Sequence, residues 1–140
     1  MNKVTVIGSI NLDRTIRVAR MAKPGETLHT KEIFTAGGGK GANQAIAAQR
    51  LGADTSFIGA VGEDWEVSQT MLELLHEDGI NCQGIATLSN HKTGQAFVIV
   101  DDDSENLIYV HGGANMAFQP EHVDQNRDLI TQSDFVVAQF

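Results

Sequence analysis

One cysteine, two prolines, one tryptophan and one tyrosine stand in 140 residues. A lone Cys82 excludes an internal disulfide and a thiolate metal cluster, and makes the reducing cytoplasm the default location. Cationic residues are scarce too: 10 Lys and Arg against 18 Asp and Glu leave a net charge of −8. A nucleic-acid binder needs a basic stripe. Here the densest charge run, Asp101 to Glu105, would repel phosphate, so no nucleic-acid partner is expected. No apolar run approaches the roughly 20 residues of a membrane span. Asn11 and Asp13 interrupt the start before a signal-peptide core could form, so no membrane partner is expected either. The 41% hydrophobic share is too high for a disordered chain, and the length suits one domain with a sizeable core.

What is present falls into two kinds of strand. Lys3 to Gly8 and Thr55 to Val61 are short apolar runs rich in β-branched residues, each ending in glycine, as buried strands do. Between and after them lie helical segments. Gly41 to Leu51 is alanine-rich and closed by Gly52. The next helix places Val67, Met71, Leu74 and Leu75 on one stripe and stops at Asp78-Gly79. Glu63 and Asp64 precede that helix, where negative side chains suit its N-terminus. Buried strands alternating with helices predict an α/β fold with a parallel sheet. Arg14 to Val18 and Leu28 to Ala36 instead mix polar and apolar residues as one-sided strands, and Gln95 to Val100 and Asn106 to His111 form a hairpin, with no helix inside either pair. They predict a separate small sheet, with a Pro24-Gly25 turn and an acidic hairpin turn. Pro120 opens a further helix, and Asp134 to Phe140 is an apolar strand. A chain that stops in so hydrophobic a strand is expected to be the front half of something larger.

The glycine cluster Gly37-Gly38-Gly39-Lys40-Gly41 fails the phosphate-loop pattern, because Gly41 stands where Ser or Thr should follow the lysine. It meets the loose dinucleotide pattern as Gly37-x-Gly39-x-x-Ala42. That fingerprint belongs directly after the first buried strand, however, and the segment before Gly37 is amphipathic. A tight turn and helix cap would account for the glycines equally well. Asn11 and Asp13 follow the first strand, at the end where open α/β sheets bind ligands. A carboxylate accepting two hydrogen bonds suits vicinal hydroxyls, and an amide offers both donor and acceptor. Lys40 and Asn43 lie at a helix N-terminus with free backbone N–H groups. These groups suit a neutral polyhydroxyl ligand, although a self-capping turn would also explain Asn11 and Asp13. The five histidines show no metal spacing. Gly8-Ser9-Ile10 lacks the second glycine of a nucleophile elbow. Trp65 is expected to pack rather than bind, and Cys82 to be a partly buried, inert thiol.

Taken together, Val6-Ile7-Gly8-Ser9-Ile10-Asn11-Leu12-Asp13, Pro24-Gly25-Glu26-Thr27, Gly38-Gly39-Lys40-Gly41-Ala42-Asn43-Gln44-Ala45, Val61-Gly62-Glu63-Asp64 and His111-Gly112-Gly113-Ala114-Asn115 resemble the ribokinase family of carbohydrate kinases, amino-terminal half only. The form with Lys40, Gly41, Ala42 and Gln44 is nearer the ribose branch than the fructokinases or adenosine kinases. The resemblance implies a doubly wound parallel sheet, truncated at its carboxyl-terminal half, with a small β-sheet lid built from about 14–36 and 95–111 that clasps a second copy in a homodimer. It implies transfer of the ATP γ-phosphoryl to the 5-hydroxyl of D-ribose with Mg²⁺, and K⁺ as activator. It implies that Asn11, Asp13, Gly39, Lys40 and Asn43 hold the sugar, with 96–98 and 108–110 over its apolar face. Val67 stands where the family usually has glycine. The catalytic base, the ATP site and a sugar-binding glutamate are expected past Phe140, so the 140 residues alone are expected to be inactive. The alternatives are a non-catalytic sugar-binding or dimerising module, a related sugar or nucleoside kinase and, more remotely, a dinucleotide-binding oxidoreductase.

Overall fold

In the computed structural model, which describes residues 1–140, the strands sort into two four-stranded sheets. In chain order the elements are β1 (Lys3–Ile7), β2 (Asn11–Arg17), β3 (Glu32–Gly38), α1 (Lys40–Arg50), β4 (Asp54–Gly62), α2 (Trp65–Glu77), β5 (Asn81–Leu88), β6 (Gly94–Val100), β7 (Asn106–His111), α3 (Ala114–Ala117), α4 (Pro120–Asp124), α5 (Arg127–Thr131) and β8 (Phe135–Ala138). The first sheet runs β5-β4-β1-β8 and is parallel throughout. The second runs β3-β2-β6-β7, with β2 parallel to β6 and both outer pairs antiparallel.

Parallel strands need helical crossovers, and those crossovers bury the sheet. Val6 and Phe57 meet Ala42 and Ala45 of α1 and Val67, Met71 and Leu75 of α2 in one core, all of them buried. Complete burial of a side chain the size of Phe57 contributes about 1.5–3 kcal/mol. The small residues of α1 let it lie almost on the backbone of β1: a methyl group at Gly41 would stand 2.7 Å from the Cα of Gly8. The helix stops as its sequence predicts. Gly52 takes φ +94°, its N–H reaches the Gln49 carbonyl, and the Ala53 N–H reaches that of Ala48, the paired bonds of a Schellman cap. Val67, where the family resemblance leads one to expect glycine, fills core space. No helix is long and apolar enough to cross a membrane.

Several local expectations need correction. Asn11 and Asp13 do not lie in a polar stretch that ends β1; they are the first and third residues of β2, paired with Gly38 and Ala36 on one side and Gly94 and Ala96 on the other. The chain crosses from sheet to sheet within residues 8–10, too few for a loop signal. The strand expected over Leu28 to Ala36 starts at Glu32 and continues through Gly37 and Gly38, because β2 supplies a partner for every residue to Gly38. Asn81–Leu88 is a strand that the apolar pattern did not reveal: Gln83 and Gly84 break its run, and only pairing with β4 holds it extended. Trp65 is 75% exposed rather than packed, and Phe135, Val136 and Val137 lie open along the sheet edge.

Candidate functional site

β2 is the strand on which the polar groups are mounted. Successive side chains alternate between faces, so Asn11, Asp13 and Thr15 share one face, while Leu12 enters the core between them. Opposite Asp13 stand Ala36, Ala96 and, one strand further, Val110. Opposite Thr15 stand Phe34, Val98 and Ile108. The face is therefore polar at its base and apolar further out.

The glycines at its base are required by contact. The Asp13 carboxylate lies directly over Gly38, where any Cβ would collide with it. Gly39 takes φ +92°, and a Cβ there would stand 2.6 Å from the Ser9 carbonyl oxygen and 2.9 Å from the Asn11 nitrogen. That left-handed turn swings the chain from β3 into α1. The Ala42 N–H then donates to the Ser9 carbonyl and the Asn43 N–H to that of Gly39. Lys40 and Asn43, on the first turn of α1, are both exposed. Lys40 takes part in none of the chain's ion pairs.

Burial alone raises the Asp13 carboxyl above its ordinary range, with no cation or donor beside it to draw it back. A half-buried carboxylate without partners is costly unless something donates to it. Asn11 is held more firmly. The Asn115 Nδ2 donates to its Oδ1 at 2.9 Å, and the same Asn115 amide accepts from the Ile10 N–H and donates to the Ile10 carbonyl. In the sequence Asn115 stands out only as the end of a motif, after the paired glycines Gly112 and Gly113. The sequence also predicts that Asp64 caps α2. Asp64 is the N-cap residue, yet its carboxylate bonds no helix amide. It accepts instead from the N–H and hydroxyl of Thr93, whose hydroxyl takes the Gly62 N–H. That network ties the end of β4 to the start of β6.

Asn11, Asp13, Gly38 and Gly39 thus come together where β2 meets the end of β3, and Lys40 and Asn43 follow on the first turn of α1. A cavity of about 650 Å³ lies to one side: Ile7, Ala60, Met116, Phe118, Val123 and Phe140 give it an apolar wall, Asn115 also lines it, and neither Asp13 nor Lys40 does. Its apolar wall offers little to a hydroxylated ligand, so the unpaired polar groups, not the volume, mark the site. No three His, Cys, Asp or Glu side chains gather as a metal would require. The glycine turn follows a strand of the second sheet rather than β1, which is not the setting of a dinucleotide fingerprint.

The model of the pfkB family carbohydrate kinases matches residues 1–139. A ribokinase of Staphylococcus aureus is 50% identical over 139 residues, covering 99% of this chain and 45% of its own length. A bifunctional ribokinase/ribose-5-phosphate isomerase A of Fructilactobacillus sanfranciscensis is 46% identical over 140 residues, 99% of this chain and 26% of its own. The structure of Arabidopsis thaliana ribokinase complexed with ribose and ATP is similar at a TM-score of 0.88 and 31% identity, over 99% of this chain and 45% of that one. The chain thus spans under half the length of these relatives. The matches agree with the family resemblance carried by the motifs and with a two-sheet α/β fold.

Proposed function

The chain belongs to the pfkB family of carbohydrate kinases, and from that premise we propose that it forms the sugar-holding side of a cytoplasmic ATP-dependent kinase acting on the 5-hydroxyl of D-ribose. One observation carries the reading: the half-buried Asp13 carboxylate has no partner of its own and lies over glycine beside a helix N-terminus. Such an acceptor suits two vicinal hydroxyls. Asn11 donates from the same face, the Gly39 turn lets the sugar approach the backbone, and Lys40 and Asn43 close the site from α1. The segments 14–36 and 95–111 act as a lid whose apolar outer positions cover the sugar and exclude water. Phosphoryl transfer is chiefly positioning and charge stabilisation, so rigid placement of the acceptor is a large part of the task.

The same sheet leaves Ile33, Phe34, Ile108, Tyr109 and Val110 between 46% and 63% exposed, which favours a homodimer through the lid. The second reading, a sugar-binding or dimerising module without chemistry, uses the same face. ATP, Mg²⁺ and K⁺ complete the reaction in the proposal, and no three His, Cys, Asp or Glu side chains of these 140 residues gather to hold a metal. We accordingly expect no ATP turnover from the 140 residues alone. Calorimetry with D-ribose and a coupled ADP-release assay test both statements. Ribose binding that falls at least about a hundredfold in Asp13→Ala, at roughly 1.5–3 kcal/mol per hydrogen bond to a charged group, supports the site. Unchanged affinity in a folded variant sinks it. Ribose-dependent ADP release that Asp13→Ala abolishes would overturn the expected inactivity.

A further inference from the structure

Asn115 lies 104 residues from Asn11 in sequence, yet their side chains share a hydrogen bond. Gly112 and Gly113 turn the chain after β7, and the Ala114 N–H donates to the Lys92 carbonyl, docking the start of α3 beside β6. Ala114 is fully buried there. The Asn115 carboxamide is then fixed from both ends by one residue: its Oδ1 accepts the Ile10 N–H at 3.0 Å and its Nδ2 donates to the Ile10 carbonyl at 2.9 Å. A backbone N–H can only donate and a carbonyl can only accept, so the two ends of this amide cannot be exchanged. Its Nδ2 therefore presents a donor to Asn11, and the Asn11 atom that meets it is an oxygen. The NH₂ of Asn11 is left free of the chain. Gly94 beneath makes room, since a Cβ there would collide with both amides.

We propose that Asn115 is a positioning residue that sets the carboxamide of Asn11 so that its NH₂, and not its oxygen, faces the ligand, making Asn11 a dedicated donor beside the acceptor Asp13. This rests on the sugar-site reading above and extends it. A donor and an acceptor two residues apart on one face distinguish a hydroxyl that must accept from hydroxyls that must donate, whereas a freely rotating Asn11 would tolerate either.

The test is Asn115→Asp in the whole chain, alone and combined with Asn11→Ala. The carboxylate keeps its bond to the Ile10 N–H but can donate neither to the Ile10 carbonyl nor to Asn11; the first loss is the same in both backgrounds, whereas the second makes Asn11 rotate to give its NH₂ and show its oxygen to the ligand. Calorimetry with D-ribose should then show affinity about tenfold weaker, the loss of one hydrogen bond. In the Asn11→Ala background, Asn115→Asp should change affinity little, because it acts through Asn11. Side-chain amide hydrogen exchange by NMR gives a readout independent of sugar: the Asn11 NH₂ exchanges freely in the parent chain and becomes protected in Asn115→Asp. Equal weakening in both backgrounds overturns the proposal, since it marks a structural role alone. So does an Asn11 NH₂ that is protected in the parent chain. If the parent chain binds no ribose, the sugar reading fails, and amide exchange still decides how Asn115 sets Asn11.

Discussion

β4 and β7 are built from similar residues and meet opposite fates. Phe57, Ile58 and Val61 of β4 are 0% exposed, whereas Ile108, Tyr109 and Val110 of β7 are 55–63% exposed. The difference lies in what covers them. β4 is the second strand of a parallel sheet, with α1 and α2 packed on the core. β7 is the outer strand of the second sheet, joined to β6 by a hairpin, which needs no helical crossover and so brings none. Hydrophobicity selects strands in both places, but burial follows from topology. The helix-backed sheet supplies the stability and the open sheet carries the unpaired polar groups.

The contrast is sharpest for paired aromatic truncations. Phe57→Ala should cost about 3–5 kcal/mol, measured by urea denaturation. Tyr109→Ala should stay within about 0.5 kcal/mol at low protein concentration. A Tyr109→Ala loss that grows with concentration would show that a second copy covers the open sheet, and would erase the contrast in the assembled state.

Next in size is the contact between α1 and β1. Gly41→Ala sets a methyl group against Gly8 and Ser9 backbone atoms at 2.7 Å. Backbone cannot turn aside, so an overpacking cost of about 3 kcal/mol exceeds the roughly 1 kcal/mol by which alanine favours the helix. Thermal melts should show a net loss of about 2 kcal/mol. An unchanged midpoint would mean that the helix rides further from β1 than described.

Asp13 tests the open sheet by pH. Its carboxyl is raised by burial, so the folded state holds the proton more tightly than the unfolded one. The stability contributed by that proton is present below the ordinary carboxylate range and is lost as pH rises through the raised folded value. Asp13→Asn removes this slope. Relative to the parent, the variant should gain stability as pH rises from the ordinary carboxylate range through the raised folded value, while losing ribose binding. Parallel stability curves would show that Asp13 finds a partner in solution.

The smallest effect lies at the outer end of the same sheet. Arg20 donates to Glu26 at 2.6 and 3.0 Å, and with the Lys23 N–H it holds the Glu26 carboxyl down to about 2. Here the sign reverses: the contribution is present above the ordinary value and is lost as pH falls through about 2. Arg20→Ala should return the Glu26 titration, followed by NMR, toward the usual range. An exposed pair of this kind should leave the melting temperature nearly unchanged.

The candidate site was legible where its residues are neighbours in sequence. Gly38, Gly39, Lys40 and Asn43 announce a turn into a helix, and polar Asn11 and Asp13 stand out after an apolar strand. That Asp13 rides on a strand of the second sheet was not legible. A strand is recognised by its period, and its partners by nothing local. The Asn115–Ile10 and Asp64–Thr93 bonds were hidden for the same reason, lying 105 and 29 residues apart.

The sequence by itself determined the elements that depend on local chemistry: the stripe of Val67, Met71 and Leu75, the Gly52 cap, the alternating hairpin and the family motifs. Only the tertiary structure decided which apolar strands are covered, that Asn81–Leu88 is held extended, and which end of the Asn11 amide faces outward. Propensity and periodicity act over a few residues, whereas burial and hydrogen-bond partners are settled when distant segments close on one another.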